Sequence, residues 1–321
     1  MNIKYKATEN VQLMGAYYSS AARPDFSALS PLVDYPVLGN ALNASGNPFL
    51  KPSIAQNFDL GIAISSNTLG LLTVNGFYKE IKDLVYSIPY YKPAKRGDIV
   101  QAPADMLNRL PGYVFFDSTY FNNNNKNFYA NTPINNPEAA FVRGVELSWQ
   151  TNFWYLPGML SGLVLDVNAA FMNSETLYPY FDNGSVVKDS TIAHGHTSYT
   201  YYEAYRTRGG SVLNMPKATY NIIVGWDYSG FSSRVSFRYQ QTTLTYLDSQ
   251  HSMADAYYDN VLLVDVMLKQ KIVGNLSVFA NLTNIGSHID SYYYHAPINA
   301  DLPTSQQTYG FNAQFGLSFY M

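Results

Sequence analysis

The chain has 321 residues, a formal net charge of −3 and no cysteine, which excludes disulfides, thiolate metal sites, cysteine nucleophiles and a nucleic-acid partner. Charged residues make up only 13%, about half the usual share of a soluble domain, while aromatics reach 16%, with 29 tyrosines. So little charge would not keep a water-facing surface dispersed, whereas tyrosine suits a membrane interface that buries the ring and wets the hydroxyl.

No stretch approaches the roughly 18 consecutive apolar residues of a helical span, and Met1–Asn10 lacks the apolar core of a signal peptide. Alternation at period two recurs instead. It runs, with irregularities, through 11–18, 54–64, 70–82, 138–150 and 162–173. It is cleaner from Tyr220, where Tyr220, Ile222, Val224, Trp226 and Tyr228 alternate with Asn221, Ile223, Gly225 and Asp227. After the Ser229-Gly230 turn, Phe231, Val235, Phe237 and Tyr239 share one face, and Arg234, Arg238 and Gln240 the other. Segments 260–270, 275–283 and Tyr309–Phe319 complete about ten strands, each near the length that crosses a bilayer when tilted. The pattern places Tyr220, Ile222, Val224, Trp226, Phe231, Val235, Phe237 and Tyr239 against lipid, with Arg234, Arg238 and Gln240 in the lumen. In 143–150, Val145, Leu147 and Trp149 face lipid, while Gly144, Glu146, Ser148 and Gln150 face a wet interior, where a charge at Glu146 is tolerated.

Short connections at Ser65–Leu69, Phe153–Ser161, Ser229–Gly230 and Gln270–Gly274 alternate with long ones at 19–53, 84–137, 174–215, 242–259 and 284–307. Tight turns on one side and large loops on the other predict an all-β, antiparallel transmembrane β-barrel. The last strand then brings the C-terminus to the periplasmic side. Open sheet edges are not tolerated in lipid. Ten strands could close alone, but the missing export signal favours a piece of a longer barrel.

Six segments in order resemble TonB-dependent receptors. Ala22–Pro31 is similar to that family's "ARP.F..L.P" stretch. Gly46–Pro52 with Asn57–Gly61 is similar to its "GNP.LKPE...N.(D/E)LG" run, with Ser53 in place of the acidic residue. Gly76–Leu84, Arg143–Gln150 and Leu276–Asn284 resemble later strands. Physically, the prolines and glycine of Gly46–Pro52 set a turn and an extended entry into a strand. The resemblance spans nearly the whole chain. It implies one partial barrel domain over 1–321, with the N-terminal plug and first barrel half absent. It further implies energised uptake of a bulky solute, coupling to the TonB complex only through that plug, and room for a surface lipoprotein partner. Gly46–Pro52 and the Leu156–Asn168 stretch are similar to the branch that includes glycan importers, and siderophore receptors share much of both. A non-energised pore or surface binding barrel is the alternative.

Gln314, Gly316, Phe319 and Met321 resemble the C-terminal signal read by the barrel-assembly machinery, with Met321 where the family usually has Phe. Among loop aromatics, Tyr86 and Tyr178 adjoin strand ends and are expected in the interfacial belt. Tyr113, Phe115, Phe116 and Tyr120, at the centre of a loop, and Tyr201 and Tyr202 are candidates for stacking on a ligand. His194 and His196 have a spacing that can hold a metal or haem iron, although an ordinary polar loop explains them as well. Asp248, His251, Asp255 and Asp259 match no calcium-loop spacing. No serine elbow, phosphate loop or zinc helix is present, so neither enzyme activity nor a cofactor is expected.

Overall fold

The computed structural model of the chain describes residues 1–30, 33–34, 43–91, 99–100, 103–109, 130–193, 196–248, 254–295 and 301–319. Every alternating segment of the sequence is extended. The strands are β1 (Asn2–Lys6), β2 (Val11–Ala22), β3 (Ser53–Ser66), β4 (Gly70–Lys82), β5 (Ala140–Asn152) and β6 (Leu163–Ala193). After them come β7 (Ala218–Tyr228), β8 (Phe231–Gln240), β9 (Val261–Val273), β10 (Leu276–Thr283) and β11 (Asn312–Phe319). Each pairs antiparallel with the next, so spatial order equals chain order. Among the described residues β1 and β11 do not pair with one another, and the sheet stays open at these two edges.

The expected register holds. Tyr220 faces Tyr239, Ile222 faces Phe237 and Val224 faces Val235, while Asn221 faces Arg238 and Gly225 faces Arg234. Directly opposed residues share a face, so the apolar and polar sets separate as the alternation requires. Between β7 and β8, Ser229 and Gly230 both have positive φ, 50° and 79°, the two-residue turn whose twist matches the strands.

Two aromatic girdles flank an aliphatic band on the outer face. At the end with long connections, neighbouring strands contribute Tyr17 and Phe58 (ring centroids 4.8 Å apart), Tyr78 and Phe141 (6.3 Å), and Tyr220 and Tyr239 (5.5 Å). At the other end all three tryptophans of the chain secure the short connections. Trp149 Nε1 donates to Leu69 O, Trp154 Nε1 to Asn67 O and Trp226 Nε1 to Met159 O, each at 2.8 Å. The amphipathic ring is satisfied at the wet end while its body meets the apolar band.

The main buried core lies above the barrel wall, while a smaller cluster of Ala140, Val142 and Val212 includes the start of β5. Segments expected to be loops contain strands. β6 continues to Ala193 as a ribbon paired with His196–Gly210, and small sheets form from Val85–Tyr91 and Ala130–Asn135, and from Thr243–Tyr246, Ala256–Tyr258, Ile289–His295 and Asp301–Thr308. Tyr86 and Tyr178, expected in the interfacial belt, are 9% and 2% exposed and centre this core with Ile88, Met106, Ile134 and Leu247. Strand extensions carry both tyrosines past the girdle, where the connections fold over them. Their rings meet edge to face at 5.1 Å, and Tyr178 OH donates to Ser211 O at 2.9 Å.

The turn motif Gly46–Pro52 has a structural task. Asn47, fully buried, donates from Nδ2 to Arg109 O (2.8 Å) and Pro133 O (3.0 Å). A Cβ on Gly46 would stand 1.8 Å from Ser30 O. Buried Asn135 receives Lys51 N and donates to Lys51 O and Asp83 O. Four separate stretches are thereby cross-linked through backbone groups that burial would otherwise leave unpaired.

Candidate functional site

The inner face forms a recess of about 620 Å³ spanning β4 to β9, lined among others by Asn75, Glu146, Asn168, Asn221, Arg238 and Gln240. Cross-strand register builds this wall: Asn75 opposes Glu146, Asn168 opposes Asn221 and Asn221 opposes Arg238. Glu146 and Arg238 find no ion-pair partner among the described residues. Carboxylate, guanidinium and several amides thus present donors and acceptors together.

Tyr258 and Asp290 line the same recess from the rim. Tyr258 OH donates to Asp290 Oδ1 at 2.9 Å, and His288 Nε2 lies 3.4 Å from that oxygen. Burial, then the bond to Asp290, pushes the Tyr258 hydroxyl up to about 12. In the rim sheet Tyr258 opposes Tyr292 and Tyr257 opposes Tyr293. The ring centroids lie 4.9 and 5.6 Å apart, and consecutive residues of a strand point to opposite faces, so the sheet is tyrosine-clad on both sides. Such a rim can stack on flat or ring-shaped solutes.

Of the residues singled out in sequence, Tyr113, Phe115, Phe116, Tyr120, His194, His251 and Met321 lie outside the described residues. His196, Tyr201 and Tyr202 lie on the ribbon strand, their backbones opposite Ala193, Val187 and Val186. Asp255, from the acidic group that matched no calcium template, pairs with Arg208. Among the described residues no group of three or more His, Asp and Glu side chains could hold a metal ion. At the C-terminal strand, Gln314 opposes Asn281, Gly316 opposes Phe279 and Phe319 opposes Leu276. A Cβ on Gly316 would stand 2.5 Å from the Phe279 ring. Tyr258, His288 and Asp290 escaped sequence reasoning. Their only signal is a pair of tyrosine runs, Tyr257–Tyr258 and Tyr292–Tyr294, whose partnership depends on strand pairing.

An antiparallel meander with a polar concave face, an apolar convex face and two aromatic girdles defines the wall of an outer-membrane β-barrel. The family model for TonB dependent receptor-like β-barrels matches residues 1–285, and the chain belongs to that family, one of outer-membrane receptors and not of enzymes. No curated protein matches the chain. Among solved structures, the chain is similar to a ferric enterobactin receptor mutant (PfeA) from Pseudomonas aeruginosa in complex with enterobactin. Identity is 16% and the TM-score 0.57, covering 99% of this chain and 40% of that one. It is similar to the siderophore receptor PiuA from Acinetobacter baumannii at 16% identity and TM-score 0.51, covering 99% and 35%. The FrpB iron transporter from Neisseria meningitidis gives 12% identity and TM-score 0.51, covering 99% and 38%. The chain therefore spans 40% or less of the length of these structures.

Proposed function

We propose that this chain is the C-terminal part of the barrel of a TonB-dependent receptor that imports a bulky, polyhydroxylated solute, a glycan in preference to a metal chelate. The recess beneath the tyrosine-clad rim carries this reading: amides and charges of both signs offer many hydrogen bonds, and flat rings stand at the entrance. The aromatics Tyr113, Phe115, Phe116 and Tyr120 act in capture as a few anchors among near-neutral neighbours. In this reading one barrel domain fills residues 1–321, and a plug and first barrel half precede it in the full protein. The plug couples to the TonB complex, Gln314–Met321 engage the barrel-assembly machinery, and a surface lipoprotein can seat on the rim.

The siderophore receptors among the similar structures favour a second reading, a metal chelate as cargo. Uptake by cells carrying the full-length protein, with and without TonB, separates these readings from a passive pore. Labelled oligosaccharides should enter only with TonB, and alanine at all four aromatics should weaken capture while leaving a folded barrel. TonB-independent entry would establish a pore. Uptake of a ferric chelate lost on His194→Ala would establish the chelate reading.

A further inference from the structure

The apolar band of the lipid-facing surface has a break on β4. Gly76 of β4 faces outward between Leu60 of β3 and Val145 of β5, its direct cross-strand partners. A Cβ built there would meet nothing closer than 4.0 Å, so close packing does not demand glycine. The missing side chain opens a groove of about 670 Å³, walled by Phe58, Leu60, Tyr78, Val145 and Phe171. Its outer end is closed by Arg143, which lies directly across from Tyr78 and Asn173, and Lys217 lines the same groove. Arg143 thus stands at the level that β3 and β4 fill with the rings of Phe58 and Tyr78.

Arg143 is exposed, and among the described residues it makes no ion pair and no side-chain hydrogen bond. Glu175 stands one step further out, opposite Phe141, beyond ion-pair distance, and Glu80 is engaged by Lys82 at 3.5 Å. A guanidinium held at the edge of hydrocarbon needs an anion at its own depth. The anion abundant at that depth in a membrane is the lipid phosphate, whose oxygens suit the planar guanidinium fork.

We propose that this groove is a binding site for a phosphate-bearing lipid of the outer leaflet, with the phosphate on Arg143 and an acyl chain lying over Gly76. The site rests on the chain's place in the outer membrane and is independent of the cargo.

Native mass spectrometry of the full-length protein, purified in mild detergent and incubated with lipid A, tests it. The comparison is the same lipid stripped of both phosphates. The phosphorylated lipid should be retained about tenfold better, the scale of one hydrogen-bonded charge. Arg143→Gln should abolish that preference without changing retention of the stripped lipid, and Gly76→Leu should lower both. Heat-modifiable mobility verifies that each variant is folded, and Arg143→Lys, which keeps the charge, should retain part of the preference. Wild-type preference in Arg143→Gln overturns the proposal. So does unaltered lipid retention in Gly76→Leu, or a loss of dimers there in its place, which would make the groove an interface between two copies.

Discussion

Arg208 grips Asp255 through two parallel hydrogen bonds, Nη1 to Oδ1 at 2.7 Å and Nη2 to Oδ2 at 2.6 Å. The pair ties the ribbon strand to the turn before Ala256–Tyr258, and the Asp255 side chain is only 5% exposed. The bond to Asp255, the largest influence on the group, holds the Arg208 guanidinium in its charged form. Arg208→Leu should strand a buried carboxylate and cost roughly 3 kcal/mol of rim stability, the low end because Arg208 keeps some solvent. Adding Asp255→Asn should recover most of it. Hydrogen exchange over 243–258 reads both effects, and unchanged protection in Arg208→Leu would remove the pair from the rim's stability.

The rim phenols give a pH signature. Burial pushes the hydroxyls of Tyr178 and Tyr205 up to about 12, from an ordinary value of about 10, and that of Tyr86 well above its usual range. A raised phenol favours the neutral form in the folded rim. Its contribution is complete below about pH 10, where folded and unfolded phenols are both neutral, and is lost as pH climbs through about 12. Exchange protection of the rim should fall within that interval while the barrel sheet persists. Protection flat across the interval would contradict the burial of these rings.

Gly316 bears on two explanations of the C-terminal strand. The ring of Phe279 covers it so closely that Gly316→Ala should cost roughly 1–3 kcal/mol by overpacking and slow barrel assembly. If packing is the cause, Gly316→Ala combined with Phe279→Ala should assemble better than Gly316→Ala alone. No recovery would assign the glycine to recognition by the assembly machinery. Deleting Phe319–Met321 from the full-length protein should block assembly in either case, as judged by a heat-modifiable, protease-resistant barrel.

Capture should also depend on the lip of the recess. Tyr258→Phe removes the donor to Asp290, and Asp290→Asn removes the carboxylate. Each should weaken binding of a polyhydroxylated ligand about five- to tenfold, on the scale of one hydrogen bond to a charged group. Equal affinity in both variants, measured on folded protein with the true ligand, would place capture elsewhere on the rim.

The barrel wall was legible because lipid on one side and water on the other impose a strict period of two. Arg234 and Arg238 could be assigned to the inner face from spacing alone. The rim was not legible. Tyr86 and Tyr178 carry the same residue type as girdle tyrosines, and only the fold of distant connections distinguishes a buried phenol from an interfacial one. The recess was half visible: Glu146, Arg238 and Gln240 follow from alternation, but Tyr258 and Asp290 meet across 32 residues through a rim sheet whose short strands leave no clear periodicity. Asn47 belongs to a recognisable motif, yet its burial depends on Arg109 and Pro133, which nothing in the motif names.

The core around Tyr86, Met106, Tyr178 and Leu247 draws on connections 84–137, 174–215 and 242–259 at once. Each therefore depends on the other two for its shape, and none is a freely exchangeable module. Transplanting one of them alone into a related barrel would bring apolar residues with no complementary surface to receive them. A receptor with new cargo preference, whether made by recombination or by design, would need all three transferred together, or changes confined to positions that this core does not touch.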